Sequence, residues 1–201
     1  GGYDGELLPH HLESLTTLQA HGRGIESLEG LELAPNLESL DLSGNMIRDF
    51  EQLKALKKLR ALDLSENGIS DVSPLAGLTS LTSLTLNGNQ IVDASPLVRL
   101  RAIVYLRLSD NPLDSIDFIG NFPSLLFLWL SRVGCSDISV IAQHPGLQRL
   151  ILRDNRIVDI SPLEGLYFLQ WLDIGNNRVR DIGPLRNKPF LFRLHLDGNE
   201  I

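Results

Sequence analysis

The chain has 201 residues, 43% of them hydrophobic, with a mean hydropathy of +0.02, which is enough to bury a continuous core and too apolar for disorder. A formal net charge of -7 argues against a general nucleic-acid binder, because phosphate neutralisation needs clustered Lys and Arg. No apolar run approaches the roughly 18 residues of a membrane span, the opening GGYDGELLPHH lacks a basic and apolar leader pattern, and a single cysteine, Cys135, excludes an internal disulfide framework and a CxxC motif.

Residues 1–14 precede any repeat and are expected to form an N-terminal cap over the first open core face. Gly1 and Gly2 read as an expression scar, and Pro9 is suited to start a short helix through His10 to Ser14. From residue 15 the chain repeats. A degenerate first copy carries Leu15, Leu18, Ala20, Arg23 and Ile25, and then Leu40, Leu62, Leu84, Leu106, Leu128, Leu150, Leu172 and Leu194 recur at a constant step of 22. Two residues on, the column is apolar throughout, from Leu42 to Leu196. Three further on stand Asn45, Asn67, Asn89, Asn111, Val133, Asn155, Asn177 and Asn199, followed two later by Ile47, Ile69, Ile91, Leu113, Cys135, Ile157, Val179 and Ile201.

This LxxLxLxxNxI pattern defines a leucine-rich repeat solenoid: an α/β-type horseshoe with a parallel concave β-sheet and short 3-10 turns on the convex side. The array runs over residues 15–201 as about nine coils and ends inside its last repeat at Ile201, where a covering coil or molecule is expected. Leucines point inward, and the asparagine amides are placed to satisfy backbone groups where the chain leaves each strand. The second half of the coils reads Asp71-Val72-Ser73-Pro74-Leu75, Asp159-Ile160-Ser161-Pro162-Leu163 and similar, with Asp to cap and Pro to open a short 3-10 segment. Val133 interrupts the asparagine column without altering the spacing, so no bulge is required.

The two halves of the array differ. Residues 1–100 carry 7 basic and 14 acidic side chains, whereas residues 101–201 carry 11 of each. On the strands, the positions flanking each inward leucine face the concave surface. They are small or polar early on, as in Ser39 and Asp41, Ala61 and Asp63, Ser83 and Thr85. From the fifth coil they become Tyr105 and Arg107; Phe127 and Trp129; Arg149, Ile151 and Arg153; Trp171 and Asp173; Arg193 and His195. These eleven residues make up the candidate partner-binding patch, on the order of a few hundred Å², a size at which exposed apolar surface marks an interaction site. Two other readings stay open: the aromatics could stack with Arg149 and Arg193 and merely cover the sheet, or the face could pack against another domain.

Asn-x-Ile-x-Asp-Ile-x-Pro-Leu in 22-residue units resembles the bacterial internalin-like leucine-rich repeats, and Gly24-Ile25-Glu26-Ser27-Leu28-Glu29-Gly30-Leu31-Glu32 followed by Asn36-Leu37 is similar to the first coil of many such surface proteins. The resemblance implies protein or peptide binding through the concave sheet, in a secreted or cell-surface setting, with no cofactor. A cytosolic setting is the alternative, as is a recognition or scaffold domain of a larger enzyme or effector.

Catalytic and metal chemistry find little footing. Cys135 sits in an apolar column and reads as a buried thiol. His10 and His11 are adjacent in the cap and point differently, and His144 stands in a convex apolar column, where partial exposure is expected. Asp49, Asp71, Asp93, Asp137, Asp159 and Asp181 recur as turn caps rather than as a calcium-binding row. The expectation is therefore no enzyme, no metal, no nucleic acid, no membrane insertion and a protein or peptide ligand.

Overall fold

The computed structural model describes residues 12–201. The expected cap over residues 1–14, with Pro9, His10 and His11, lies outside the described residues except for Leu12, Glu13 and Ser14. Among the described residues nine strands of three residues each recur: β1 Thr17–Gln19, β2 Ser39–Asp41, β3 Ala61–Asp63, β4 Ser83–Thr85, β5 Tyr105–Arg107, β6 Phe127–Trp129, β7 Arg149–Ile151, β8 Trp171–Asp173 and β9 Arg193–His195. They form one parallel sheet in sequence order. Each residue pairs with its counterpart one repeat later, Leu40 with Leu62 and Leu128 with Leu150, so the repeat length is also the sheet register.

The central leucine of a strand points into the coil and its two neighbours point out of the concave face. The return half of most coils is a 3-10 turn: Leu31–Leu33, Glu51–Ala55, Ser73–Gly77, Ser95–Arg99, Asp117–Asn121, Ser139–Gln143, Ser161–Leu163 and Gly183–Leu185. A coil this short has no room for a full helix, and aspartate starts most of these turns. The Ser73 N–H donates to Asp71 Oδ1 at 2.8 Å, and the same bond recurs from Ser95 to Asp93, Ser139 to Asp137 and Ser161 to Asp159. Where the column lacks an aspartate, Ser115 Oγ accepts from the Asp117 N–H at 3.0 Å instead.

Between the two halves run the asparagines. Asn89 Nδ2 donates to the Leu86 carbonyl of its own coil at 2.9 Å and to the Leu64 carbonyl of the preceding coil at 3.0 Å. Its Oδ1 accepts from the Ile69 and Asn67 N–H groups of that preceding coil at 2.9 and 3.1 Å. One buried amide thus satisfies backbone in two successive coils, where each orphaned group would cost about 1–3 kcal/mol. Val133 removes this device once. The Leu113 N–H, which would have met an amide there, turns to the Asn111 carbonyl at 3.0 Å, and Pro112 beside it has no N–H to place. Val133 and Gly134 then both donate to Asn155 Oδ1, at 3.2 and 2.9 Å. The register through β5, β6 and β7 is unbroken, so the ladder is rerouted without a bulge.

His144 departs from expectation: it is buried, at 4% exposure, in the column occupied by Leu100, Phe122 and Leu166. The column faces the coil interior, so a polar ring placed there is carried inside with it. Its Nε2 has no hydrogen-bond partner. Burial pushes its pKa below the ordinary 6.5, partly opposed by a hydrogen bond with the Ile119 backbone. No described helix is long and apolar enough to cross a membrane.

Two outcomes follow for urea unfolding. Asn89→Ala should lower stability by about 3 kcal/mol, because it orphans buried backbone groups on two coils at once. His144→Leu should raise it by about 1 kcal/mol at neutral pH, by removing an unpaired buried nitrogen. Because the folded pKa of His144 lies below its unfolded value, its neutral form is favoured in the fold, and stability is lost as pH falls below about 6.5. The Leu variant should show a flatter decline over that range.

Candidate functional site

The unbroken register sets Tyr105, Phe127, Arg149, Trp171 and Arg193 in one row and Arg107, Trp129, Ile151, Asp173 and His195 in the next. The sheet therefore brings the predicted residues together across β5–β9. They interlock by stacking. Arg107 Cζ lies 4.4 Å from the Trp129 ring centroid and 5.0 Å from that of Tyr105. Arg149 Cζ lies 5.5 Å from Trp129 and 4.4 Å from Trp171, and Arg193 Cζ lies 4.4 Å from the same Trp171 ring. The sequence Arg107, Trp129, Arg149, Trp171, Arg193 is a ladder in which cation and indole alternate. Tyr105 closes one end, with its centroid 4.6 Å from Trp129 and 5.6 Å from Phe127, and its hydroxyl accepts a hydrogen bond from Arg107.

Each cation-π contact contributes about 0.5–1 kcal/mol at an exposed site and more when desolvated. The stacking that the sequence left open is thus present. It leaves Tyr105, Arg107, Phe127, Trp129, Arg149 and Trp171 half-buried and Arg193 exposed, so the ladder is held in place yet still meets solvent. Ile151 and Asp173 differ from their neighbours: each is only 8% exposed, and they form the floor of the patch. Asp173 is drawn inward because its Oδ1 accepts from the Gly175 N–H at 3.0 Å, while Oδ2 lies 3.7 Å from His195 Nδ1.

The arginines divide into two groups. Arg153 donates to Asp197 at 3.0 and 2.5 Å and approaches Asp173 at 3.5 Å, so its charge is met within the chain. Hydrogen bonding to Asp197 holds the Arg153 proton more firmly than usual, and the same bond pulls the Asp197 carboxyl below its ordinary range. Arg107, Arg149 and Arg193 have no carboxylate at ion-pair distance among the described residues; their partners are rings. Two donors in the ladder, Arg107 Nε and Trp171 Nε1, are buried without a hydrogen-bond partner.

Beside the patch runs a rim that was not singled out in the sequence. The residue before each ladder position, from Gly22 through Gly44, Glu66, Gly88, Asp110, Arg132, Asp154 and Asn176 to Gly198, has a left-handed φ between 53° and 70°. Glycine adopts this freely, whereas another residue costs about 1–2 kcal/mol. Four consecutive non-glycines occupy it along the edge of the aromatic patch. They are linked: Arg132 pairs with Asp110 and reaches Asp154 at 3.4 Å, and Asn176 Nδ2 donates to Asp154 Oδ1 at 2.7 Å. The signal was present in the sequence as a glycine column, interrupted once at Glu66, that gives way to four successive polar side chains from Asp110.

Cys135 is half-buried, and desolvation pushes its thiol up to about 11, which leaves little thiolate at neutral pH. Among the described residues no three His, Cys, Asp or Glu side chains group into a metal site.

Comparison with known proteins agrees with this architecture. A family model of leucine-rich repeats in two copies matches residues 57–99 and 145–187, and a single leucine-rich repeat model matches residues 36–56, together more than half of the chain. No curated protein matches. Among solved structures, an internalin (InlF) from Listeria monocytogenes superposes with a TM-score of 0.82 at 31% identity, covering 96% of this chain and 64% of that one. The chain thus spans just under two thirds of that internalin's length. A second Listeria monocytogenes internalin, InlC2, gives 0.64 at 28% identity over 94% of this chain and 84% of its own. The ectodomain of the plant receptor kinase GASSHO1/SCHENGEN3 from Arabidopsis thaliana gives 0.67 at 22% identity, over 87% of this chain and 26% of its own, and shares the fold. With its register, 3-10 turns and asparagine ladder, the chain belongs to the leucine-rich repeat family as an internalin-like member.

Proposed function

We propose that the chain is a protein-binding module that takes its partner on the concave face of β5–β9, within a bacterial surface or secreted protein. The observation that carries this reading is the alternating ladder of Arg107, Trp129, Arg149, Trp171 and Arg193, half-open to solvent on a continuous parallel sheet. Trp, Tyr and Arg are the side chains that dominate binding energetics, and holding them in place before contact lowers the entropy lost on association. The first coils offer Ser39, Ala61 and Ser83 on the same row, which supply no such anchors. Likeness to the Listeria internalins supports the surface or secreted setting. Phe127, Ile151, Arg153, Asp173 and His195 complete the patch as packing and positioning residues, with Tyr105 closing its edge.

The test separates Trp129, on the concave face of β6, from Leu130, the inward residue that follows the strand. Trp129→Ala removes a half-exposed side chain together with two cation-π contacts and should cost about 1–2 kcal/mol of stability, yet weaken partner binding about thirtyfold, or about 2 kcal/mol. Leu130→Ala opens a cavity at a fully buried position and should cost about 2–5 kcal/mol of stability. Urea midpoints, together with capture from an array of purified extracellular domains by the immobilised chain, read both effects. Capture that ignores Trp129→Ala would sink the concave site.

A further inference from the structure

Resting on the reading that the concave patch binds a partner protein, we propose that its occupant is an extended acidic segment of polyproline II type, laid across β5–β9 with a carboxylate at every third residue. Charge comes first. Arg107, Arg149 and Arg193 are the ladder cations with no carboxylate at ion-pair distance, whereas nearby Arg132 and Arg153 are already taken up by Asp110, Asp154 and Asp197. Three unneutralised guanidiniums on one face call for an anionic partner. The first coils place Asp41 and Asp63 on the same face, which turns such a segment toward the C-terminal half.

Spacing fits this conformation. Arg149 and Arg193 each lie 4.4 Å from the Trp171 centroid, and Arg107 and Arg149 lie 4.4 and 5.5 Å from the Trp129 centroid. Sharing a ring holds successive cations within about 10 Å of each other, and for Arg149 and Arg193, which share a row, two strand steps of about 4.8 Å give nearly the same figure, while Arg107 reaches the shared Trp129 ring from the neighbouring row. A polyproline II helix rises about 3.1 Å per residue, so side chains three apart recur at about 9.3 Å, whereas alternate residues recur at about 6.2 Å. A carboxylate on every third residue therefore falls on each guanidinium in turn. The intervening residues fall over the solvent-facing edges of Trp129 and Trp171, apolar surface between the guanidiniums that suits proline rings.

Hydrogen bonding points the same way. Arg107 Nε and Trp171 Nε1 are buried donors without partners. A polyproline II segment makes no internal hydrogen bonds, so its carbonyls are free to accept from donors that a small shift of the stacked side chains uncovers. A polysaccharide polyanion fits less well. It favours continuous basic surface, and here an indole separates each guanidinium from the next, with Asp110, Asp154 and Asp197 along the rim.

Fluorescence anisotropy of the 201-residue chain with labelled peptides tests the proposal. The probes are four repeats of Pro-Pro-Glu, four of Pro-Pro-Gln and six of Pro-Glu, with heparin as a competitor. Pro-Pro-Glu should bind at least about tenfold tighter than Pro-Pro-Gln, and tighter than Pro-Glu despite the greater charge of the latter. Raising NaCl from about 50 to about 500 mM should weaken it at least about fivefold. Arg149→Gln and Arg193→Gln should each weaken it about tenfold and Arg99→Gln, on a convex turn, should leave it unchanged. Arg193 is exposed, so its variant keeps the test valid if Arg149→Gln perturbs the stack. Equal binding of the Glu and Gln peptides, preference for Pro-Glu, indifference to both arginine variants, or Arg149-dependent binding of heparin alone would each overturn the proposal. If no acidic peptide binds while Trp129-dependent capture of a partner persists, the acidic segment is wrong and the concave site stands. If capture ignores Trp129→Ala, the site itself falls.

Discussion

A coil of 22 residues encloses leucines that only its neighbours can cover, and the rest of the chain depends on that constraint. Leu128 and Leu150 sit directly opposite each other in the register, each fully buried, because their strands stack at a fixed offset of one repeat. A coil displaced by one residue would turn its leucine outward and its concave residue inward. The asparagine amides reinforce the same offset, since each bonds backbone in its own coil and in the coil before it. Hydrophobic stacking and polar satisfaction thus demand the same register, and this agreement lets three-residue strands persist along the whole array.

The concave face inherits that order without contributing to it. Residues flanking each inward leucine are not needed for closure, so they can change from coil to coil while the scaffold stays constant. The register then turns a difference in sequence into a surface. Five consecutive coils place aromatic and arginine side chains at neighbouring positions, and short strand spacing brings each guanidinium onto rings contributed by adjacent strands. In isolation these would be long, mobile side chains. On the sheet they form a stacked array, so much of their rotamer entropy is lost on folding rather than on binding.

The rim shows the cost of variation where the scaffold does constrain. Its left-handed turn suits glycine, yet Asp110, Arg132, Asp154 and Asn176 occupy it along the patch. Their side chains link across coils, with Arg132 between two aspartates, and this offsets part of the backbone strain. The rerouted backbone around Pro112 and Val133 lies in the same coils. Departures from the repeat consensus therefore gather beside the aromatic patch, where backbone ideality has given way to particular side chains.

The sequence by itself determined the coil, the strand register and which face each residue takes, because a fixed period of 22 carries the pleat alternation unchanged from one strand to the next. That is enough to gather Tyr105, Phe127, Arg149, Trp171 and Arg193 into one row. It also assigned the aspartates to turn capping and Cys135 to an apolar column. The periodicity did not reveal how much of each outward residue its neighbours cover. His144 is enclosed in a column read as partly open, Ile151 and Asp173 form the floor of the patch rather than its surface, and Arg153 is neutralised by Asp197 two coils away. Only the tertiary structure decided these, along with the alternation of guanidinium and indole. Burial and pairing depend on the reach and direction of side chains across neighbouring coils, whereas periodicity specifies only the positions from which those side chains start.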